Sequence, residues 1–147
     1  MEAVTRDEQG KAVDGILPPS PEAVQTYRRL FARRAQARLA SREERRRGAR
    51  QAALAALPEL LAQYPAVRRA YLFGSVLREG AFTAFSDLDI ALDGADTEMC
   101  LEIWREAEKT MADWPLDVRP LDDSAFAARV RKKGEIIYAR SSHSAQV

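Results

Sequence analysis

An apolar run ending in Gly74-Ser75, followed after eleven residues by Asp87-Leu88-Asp89, constrains this chain more than any other feature. Tyr71, Leu72 and Phe73 read as a short strand, and Gly74 permits a tight turn whose backbone N–H groups can face a phosphate. Asp87 and Asp89 open a second apolar run, Ile90-Ala91-Leu92. Strand side chains alternate, so the two aspartates share one face. Two neighbouring carboxylates repel each other and are costly at neutral pH without a cation. A surface strand has little reason to spend two same-face positions on like charges. The pattern points to a site for a nucleoside triphosphate and its Mg²⁺.

From about Ala70 to Leu92 the chain resembles the minimal nucleotidyltransferase (MNT) group of the DNA polymerase beta superfamily. That group's signature is an apolar strand, Gly-Ser, a spacer of roughly ten residues and Asp-x-Asp. Downstream, Pro115-Leu116-Asp117-Val118-Arg119 looks like the later strand that supplies the group's third carboxylate, here Asp117. Residues 126–138 look like its closing helix and short apolar tail, so the resemblance covers roughly residues 50–140. The spacer is one residue longer than usual. Val76 and Leu77 follow Ser75, and Arg78 is the only basic residue just after the turn.

The resemblance implies an α/β fold: a small mixed sheet with flanking helices, nucleotidyltransferase-like, behind an N-terminal helical extension. It implies that Asp87, Asp89 and Asp117 hold Mg²⁺, two ions when the nucleotide is bound, with Asp117 also the candidate base for an acceptor hydroxyl. Gly74, Ser75, Arg78 and Ser86 are the candidate nucleotide-binding residues. Gly74 allows close approach of a phosphate, Ser75 offers a hydroxyl and Arg78 a positive charge, while Ser86 caps or orients the aspartate strand. ATP is the expected substrate and AMP the transferred group. The MNT group often serves as the antitoxin that modifies a HEPN-type ribonuclease toxin. A helical HEPN-type toxin is therefore an expected partner. No Arg-x₄₋₆-His motif ends on the only histidine, His143, so the chain does not look like the toxin itself.

Other readings remain. A contact-only binding module would keep the fold and neutralise a partner without catalysis. A small-molecule nucleotidyltransferase would need a further acceptor domain or a homodimer to complete its pocket. A nucleic-acid-binding protein would be led by the basic segment, with affinity falling steeply with salt.

The segment from Tyr27 to Arg50 concentrates the basic residues. Residues 1–70 hold 14 Lys and Arg against 8 Asp and Glu, whereas residues 71–147 hold 9 against 14. Such a run is either a solvated helix face or a surface for a polyanion. Tyr27 and Phe31 are its only aromatics, which argues against stacking on single-stranded nucleic acid.

The segments read as a flexible tail (1–19), an Arg-rich helical extension (20–49), a minimal nucleotidyltransferase domain (50–140) and a polar tail (141–147). Ser20-Pro21-Glu22 starts a helix. Ser41-Arg42-Glu43-Glu44 either opens a second helix or lies within one long one. Leu54, Leu57, Leu60, Leu61 and Tyr64 form an apolar stripe ending before Pro65. Asp96 caps a helix bearing Met99, Ile103, Ala107 and Met111, and Asp123 or Ser124 caps one that Gly134 stops. No apolar run reaches the roughly 20 residues of a membrane helix. The N-terminus is polar rather than signal-like, and Cys100 is a lone buried thiol, so a cytoplasmic location is expected.

Overall fold

The structure is a computed structural model, described here for residues 17–141. The expected tail segments 1–16 and 142–147, His143 included, lie outside the described residues. Helix α1 spans Pro21–Leu61 without interruption, so the Ser41 capping box does not start a second helix. Ser20 caps it by accepting from the backbone N–H of Ala23 (3.2 Å).

The described residues fall into two units, 17–38 and 39–141. The first holds residues 17–20 and helix α1 as far as Arg38. Tyr27 and Phe31 stack with ring centroids 6.5 Å apart, and both are more than half exposed. No residue of this stretch is buried.

The second unit holds the sheet. Strands β1 (Arg69–Phe73), β2 (Leu88–Asp93), β3 (Leu116–Pro120) and β4 (Glu135–Ala139) lie in the order β3-β2-β1-β4. Strand β2 runs antiparallel to β1 and parallel to β3, and β4 is antiparallel to β1. Helix α2 (Thr97–Thr110) connects the parallel pair, as a parallel connection requires. Asp96 caps α2 by accepting from Met99 N–H (2.8 Å), and Ser124 caps α3 (Ala125–Lys133) by accepting from Ala127 N–H (3.2 Å).

Strand alternation separates two faces. Ala70, Leu72, Leu88, Ile90, Leu92, Leu116 and Val118 pack with α1 and α2 in the main core. Tyr71 and Ala91 pack with Leu121, Ala127 and Val130 under α3. Cross-strand partners share a face, so Phe73, Asp89 and Asp117 extend this second face.

The buried row of α1 is Ala49, Ala53, Leu57 and Leu61, so Leu57 and Leu61 of the expected stripe are buried and two alanines extend the row toward the N-terminus. Leu54 is exposed, and Leu60 and Tyr64 are partly buried. Small residues let the helix approach closely: a Cβ on Gly48 would lie 3.2 Å from the Trp114 ring. The helix ends at Leu61, before the expected stop at Pro65. Tight turns through Gln63 and Tyr64 follow, each N–H donating to a carbonyl three residues back. Gly134 does stop α3, but with φ −68° rather than the left-handed conformation of the usual cap. It is needed for space, since a Cβ there would meet the carbonyls of Val130 and Leu72.

Part of the arginine run is structural. Arg45 lies 4.9 Å from the Trp114 ring centroid and 5.8 Å from that of Phe82. Arg50 pairs in bidentate fashion with Glu135 of β4. Glu43 accepts from Gly80 N–H (2.9 Å) and pairs with Arg46 (2.6 Å), which donates to the Val76 carbonyl (3.3 Å). Arg42 donates to the Gly80 carbonyl (3.3 Å). This brace fixes the segment just after Ser75. Arg46 and the Gly80 N–H hold the Glu43 carboxyl below its usual range. Glu43→Gln is expected to speed exchange of the Gly80 amide while leaving the Leu72 core amide unchanged, as read by hydrogen exchange.

Candidate active site

Gly74 opens a short 3₁₀ turn, Gly74–Leu77, at the end of β1. Its φ is +78°, a conformation that L side chains rarely adopt. A Cβ at this position would also collide with the Asp89 carboxylate, so Asp89 lies directly against the turn. Two independent constraints therefore ask for glycine here. Ser75 is the next residue, and its carbonyl accepts from Arg78 N–H (3.1 Å).

Asp89 pairs in register with Phe73 on one side and Asp117 on the other. In-register neighbours on adjacent strands point to the same face, so Asp89 and Asp117 stand side by side. Asp87 directly precedes β2 and is exposed. Burial, then the charge of Asp117 with a smaller push from Asp87, raises Asp89 to about 6, with Arg119 opposing. The site thus disfavours the ionised form of its central carboxylate. A cation would reverse that, which is the observation that fits a metal to these residues. Among the described residues no three His, Cys, Asp or Glu side chains already form a metal site. Mg²⁺ commonly takes only one or two carboxylates and completes its shell with phosphate oxygens and water, and the Asp89–Asp117 pair suits that mode.

Sequence reasoning missed Arg119. Its guanidinium grips Asp117 through Nε (3.1 and 3.2 Å) and one terminal nitrogen (2.9 Å). The signal was present, because residues two apart on a strand share a face. Arg78 and Ser86, the other expected nucleotide contacts, are placed differently from each other. The Arg78 side chain lines a cleft of about 740 Å³ beside Gly74, together with Phe73, Phe126, Arg129 and Lys133. The Ser86 hydroxyl accepts from Thr83 N–H (2.8 Å), ordering the loop that leads into Asp87. In that loop Phe85 is 96% exposed, a second residue that sequence reasoning did not single out. Asp122 accepts from Ser124 N–H (2.9 Å), so its role lies in the turn before α3. Cys100 is buried on α2, and burial followed by the charge of Asp96 pushes its thiol up to about 11, which makes it unreactive.

The polymerase beta nucleotidyltransferase family matches residues 56–143, more than half of the chain. The chain belongs to this family. The nucleotidyltransferase domain therefore contains the turn, the paired aspartates and Asp117. No curated protein matches the chain. Among solved structures it is similar to a MntA–HepT toxin–antitoxin complex at 22% identity, over 61% of this chain and 73% of that one, with TM-score 0.44. It is also similar to a toxin–antitoxin with AMP-PNP at 24% identity, over 59% and 73%, with TM-score 0.45. A third is a tri-AMPylated Shewanella oneidensis HEPN toxin in complex with MNT antitoxin, at 21% identity over 65% and 76%, with TM-score 0.44. No described helix of this nucleotidyltransferase is long and apolar enough to cross a membrane.

Proposed function

We propose that this nucleotidyltransferase transfers a nucleoside monophosphate, AMP from ATP, to a hydroxyl on a partner protein, with a HEPN-type toxin as the expected acceptor. The carrying observation is the in-register Asp89–Asp117 pair beside the glycine turn, with Asp89 raised to about 6 by burial and by neighbouring acids. The acceptor class rests on the resemblance of the Gly74-Ser75 and Asp87-Leu88-Asp89 motifs to MNT antitoxins. Asp87, Asp89 and Asp117 would hold Mg²⁺, two ions with the nucleotide present, which would polarise the α-phosphate and steady the leaving oxygen. The acceptor oxygen bonds to the α-phosphorus as the bond from that phosphorus to the bridging oxygen breaks. The electron pair leaves with pyrophosphate, and Asp117 takes the hydroxyl proton once Arg119 releases it. Gly74 and Ser75 orient the triphosphate, and Arg78 offsets its charge.

One observation favours a second reading. Arg119 already neutralises Asp117, as in a module that acts by contact and needs no metal. Calorimetry with ATP and Mg²⁺ separates the two. The expected result is metal-dependent binding by the wild-type chain that is lost in Asp87→Asn/Asp89→Asn. Label from α-labelled ATP should then appear on a co-expressed HEPN-type toxin. Failure of the wild-type chain to bind any of the four NTPs would overturn the enzymatic reading and leave the contact-only one.

A further inference from the structure

Helix α1 carries Arg28, Arg29, Arg33, Arg34 and Arg38, and residues 23–42 contain no Asp or Glu. All five arginines are exposed. Among the described residues none of them has an ion-pair partner or a side-chain hydrogen bond. Arg42, Arg46 and Arg50, later in the same helix, instead donate to carbonyls or to a carboxylate. Arg29 and Arg33 are one helical turn apart, as are Arg34 and Arg38, and like charges at that spacing repel. No residue from 21 to 38 is buried, so packing does not offset the repulsion. Anions alongside the helix would offset it.

The placing of these charges around the axis narrows the partner. At about 100° per residue, Phe31, Arg34 and Arg38 lie within about 40° of Tyr27, Arg28 is about 100° away, and Arg29 and Arg33 are about 120–160° away. The side that begins with Tyr27 and Phe31 thus continues as Arg34 and Arg38. A helix made for a hydrophobic groove or a lipid surface keeps its apolar and basic residues on separate faces. Here positive charge surrounds the helix, which matches a polyanion with phosphates on both sides of it. The major groove of B-form DNA is about 12 Å wide and admits a helix that is about 10–12 Å across with its side chains. The major groove of an RNA duplex is too narrow for one. A single strand needs free ring faces on which to stack, and Tyr27 and Phe31, the aromatics of this stretch, stack on each other. Arg28 to Arg38 covers about 15 Å of helix, and a DNA duplex carries a phosphate every 1.7 Å or so of its axis, so each arginine has one in reach.

We infer that the exposed part of α1, from Tyr27 to Arg38, is a docking surface for duplex DNA. The helix lies in the major groove, with Arg28, Arg29, Arg33, Arg34 and Arg38 on phosphates of both groove walls. Phosphate contacts fix position without reading bases. The inference does not rest on the nucleotidyl-transfer reading, since it uses none of Gly74, Asp87, Asp89 and Asp117. It assigns a ligand to the arginines of the basic run that the fold leaves unpaired.

The test follows the fluorescence anisotropy of a short labelled DNA duplex titrated with the full chain. Between about 50 and 200 mM salt the affinity should fall about 10²-fold or more, since each neutralised phosphate adds about 0.9 to the log–log slope. Arg29→Gln/Arg33→Gln and Arg34→Gln/Arg38→Gln remove charge from opposite sides of the helix. Each should weaken binding about 10-fold or more and lower the slope by about two. The four side chains are exposed and glutamine is a comparable helix former, so the helix is kept. Lysine at the same positions should restore most of the affinity. The charge-matched control Arg105→Gln/Lys132→Gln removes two exposed cations from the second unit and should keep most of it too. Asp87→Asn/Asp89→Asn should not weaken DNA binding, whatever it does to ATP. No binding at about 50 mM salt, an equal loss in the control, or a loss in only one of the two helix pairs overturns the groove docking. Tighter binding to the same sequence as duplex RNA or as a single strand also overturns it. Binding to phosphatidylserine vesicles through the same arginines, with none to DNA, would assign the helix to a lipid surface instead.

Discussion

Replacing Asp89 with Asn is expected to abolish nucleotidyl transfer and, at the same time, to make the metal-free protein more stable. The two effects have opposite signs because they come from one cause. In the metal-free site the Asp89 carboxylate is partly buried and faces Asp117, and its ionisation is pushed up to about 6. A group with a raised folded-state value favours the fold while protonated. Its benefit is complete below the ordinary value of 3.8 and is lost as pH rises through about 6. At pH 7 and above, the native state therefore carries an ionised group that the unfolded chain accommodates more cheaply. Allowing for partial exposure, Asn should recover about 1–2 kcal/mol at pH 7.5, and almost nothing at pH 4. Thermal melts of both proteins at the two pH values would show this. Transfer should fall by about 10³-fold or more, since a lost metal ligand forfeits several kcal/mol of transition-state stabilisation. Binding of Mg²⁺ to the wild-type chain should weaken below pH 6, where Asp89 takes up a proton. If Asn destabilised the protein at pH 7.5 as much as at pH 4, Asp89 would be an ordinary structural carboxylate and the site reading would fail.

The parts of this site that were legible in sequence are those set by local geometry. Strand alternation places Asp89, and the turn chemistry of Gly74 does not depend on the rest of the fold. Asp96 and Ser124 were readable as caps for the same reason. What sequence did not reveal depends on which elements meet. The apolar stripe found Leu57 and Leu61 of the buried row of α1, but such stripes favour large residues, so Ala49 and Ala53 were passed over and the exposed Leu54 was included. Close packing against Trp114 favours a small residue at Gly48, and only the tertiary contact shows it. The arginine run looked like a single feature and divides by environment. Arg42, Arg45, Arg46 and Arg50 meet backbone carbonyls, aromatic rings or a carboxylate, whereas the arginines up to Arg38 lie on an exposed stretch of helix.

Gly74→Ala should be the most damaging single methyl group that can be added to the candidate site. Two costs combine. Holding an alanine at φ +78° costs about 1–2 kcal/mol. The new Cβ would also occupy the space of the Asp89 carboxylate, so that side chain must turn away from the position it shares with Asp117. The expected result is a loss of about 2–3 kcal/mol of stability and at least about 100-fold of transfer activity, read by denaturant unfolding and by labelled ATP. The second cost can be isolated. Truncating Asp89 to Ala removes the colliding carboxylate but leaves the φ unchanged, so Gly74→Ala should cost less stability in that background, by about 1 kcal/mol. Asp89→Asn offers no such relief, because asparagine fills the same space. An equal cost of Gly74→Ala in the wild-type and Asp89→Ala proteins would mean that the glycine serves the turn alone. A smaller cost beside alanine, and an undiminished one beside asparagine, would show that the phosphate turn and the carboxylate pair are packed as one unit. Turn and metal ligand would then be unable to change independently, and that coupling explains why the glycine and the aspartate occur together in one site.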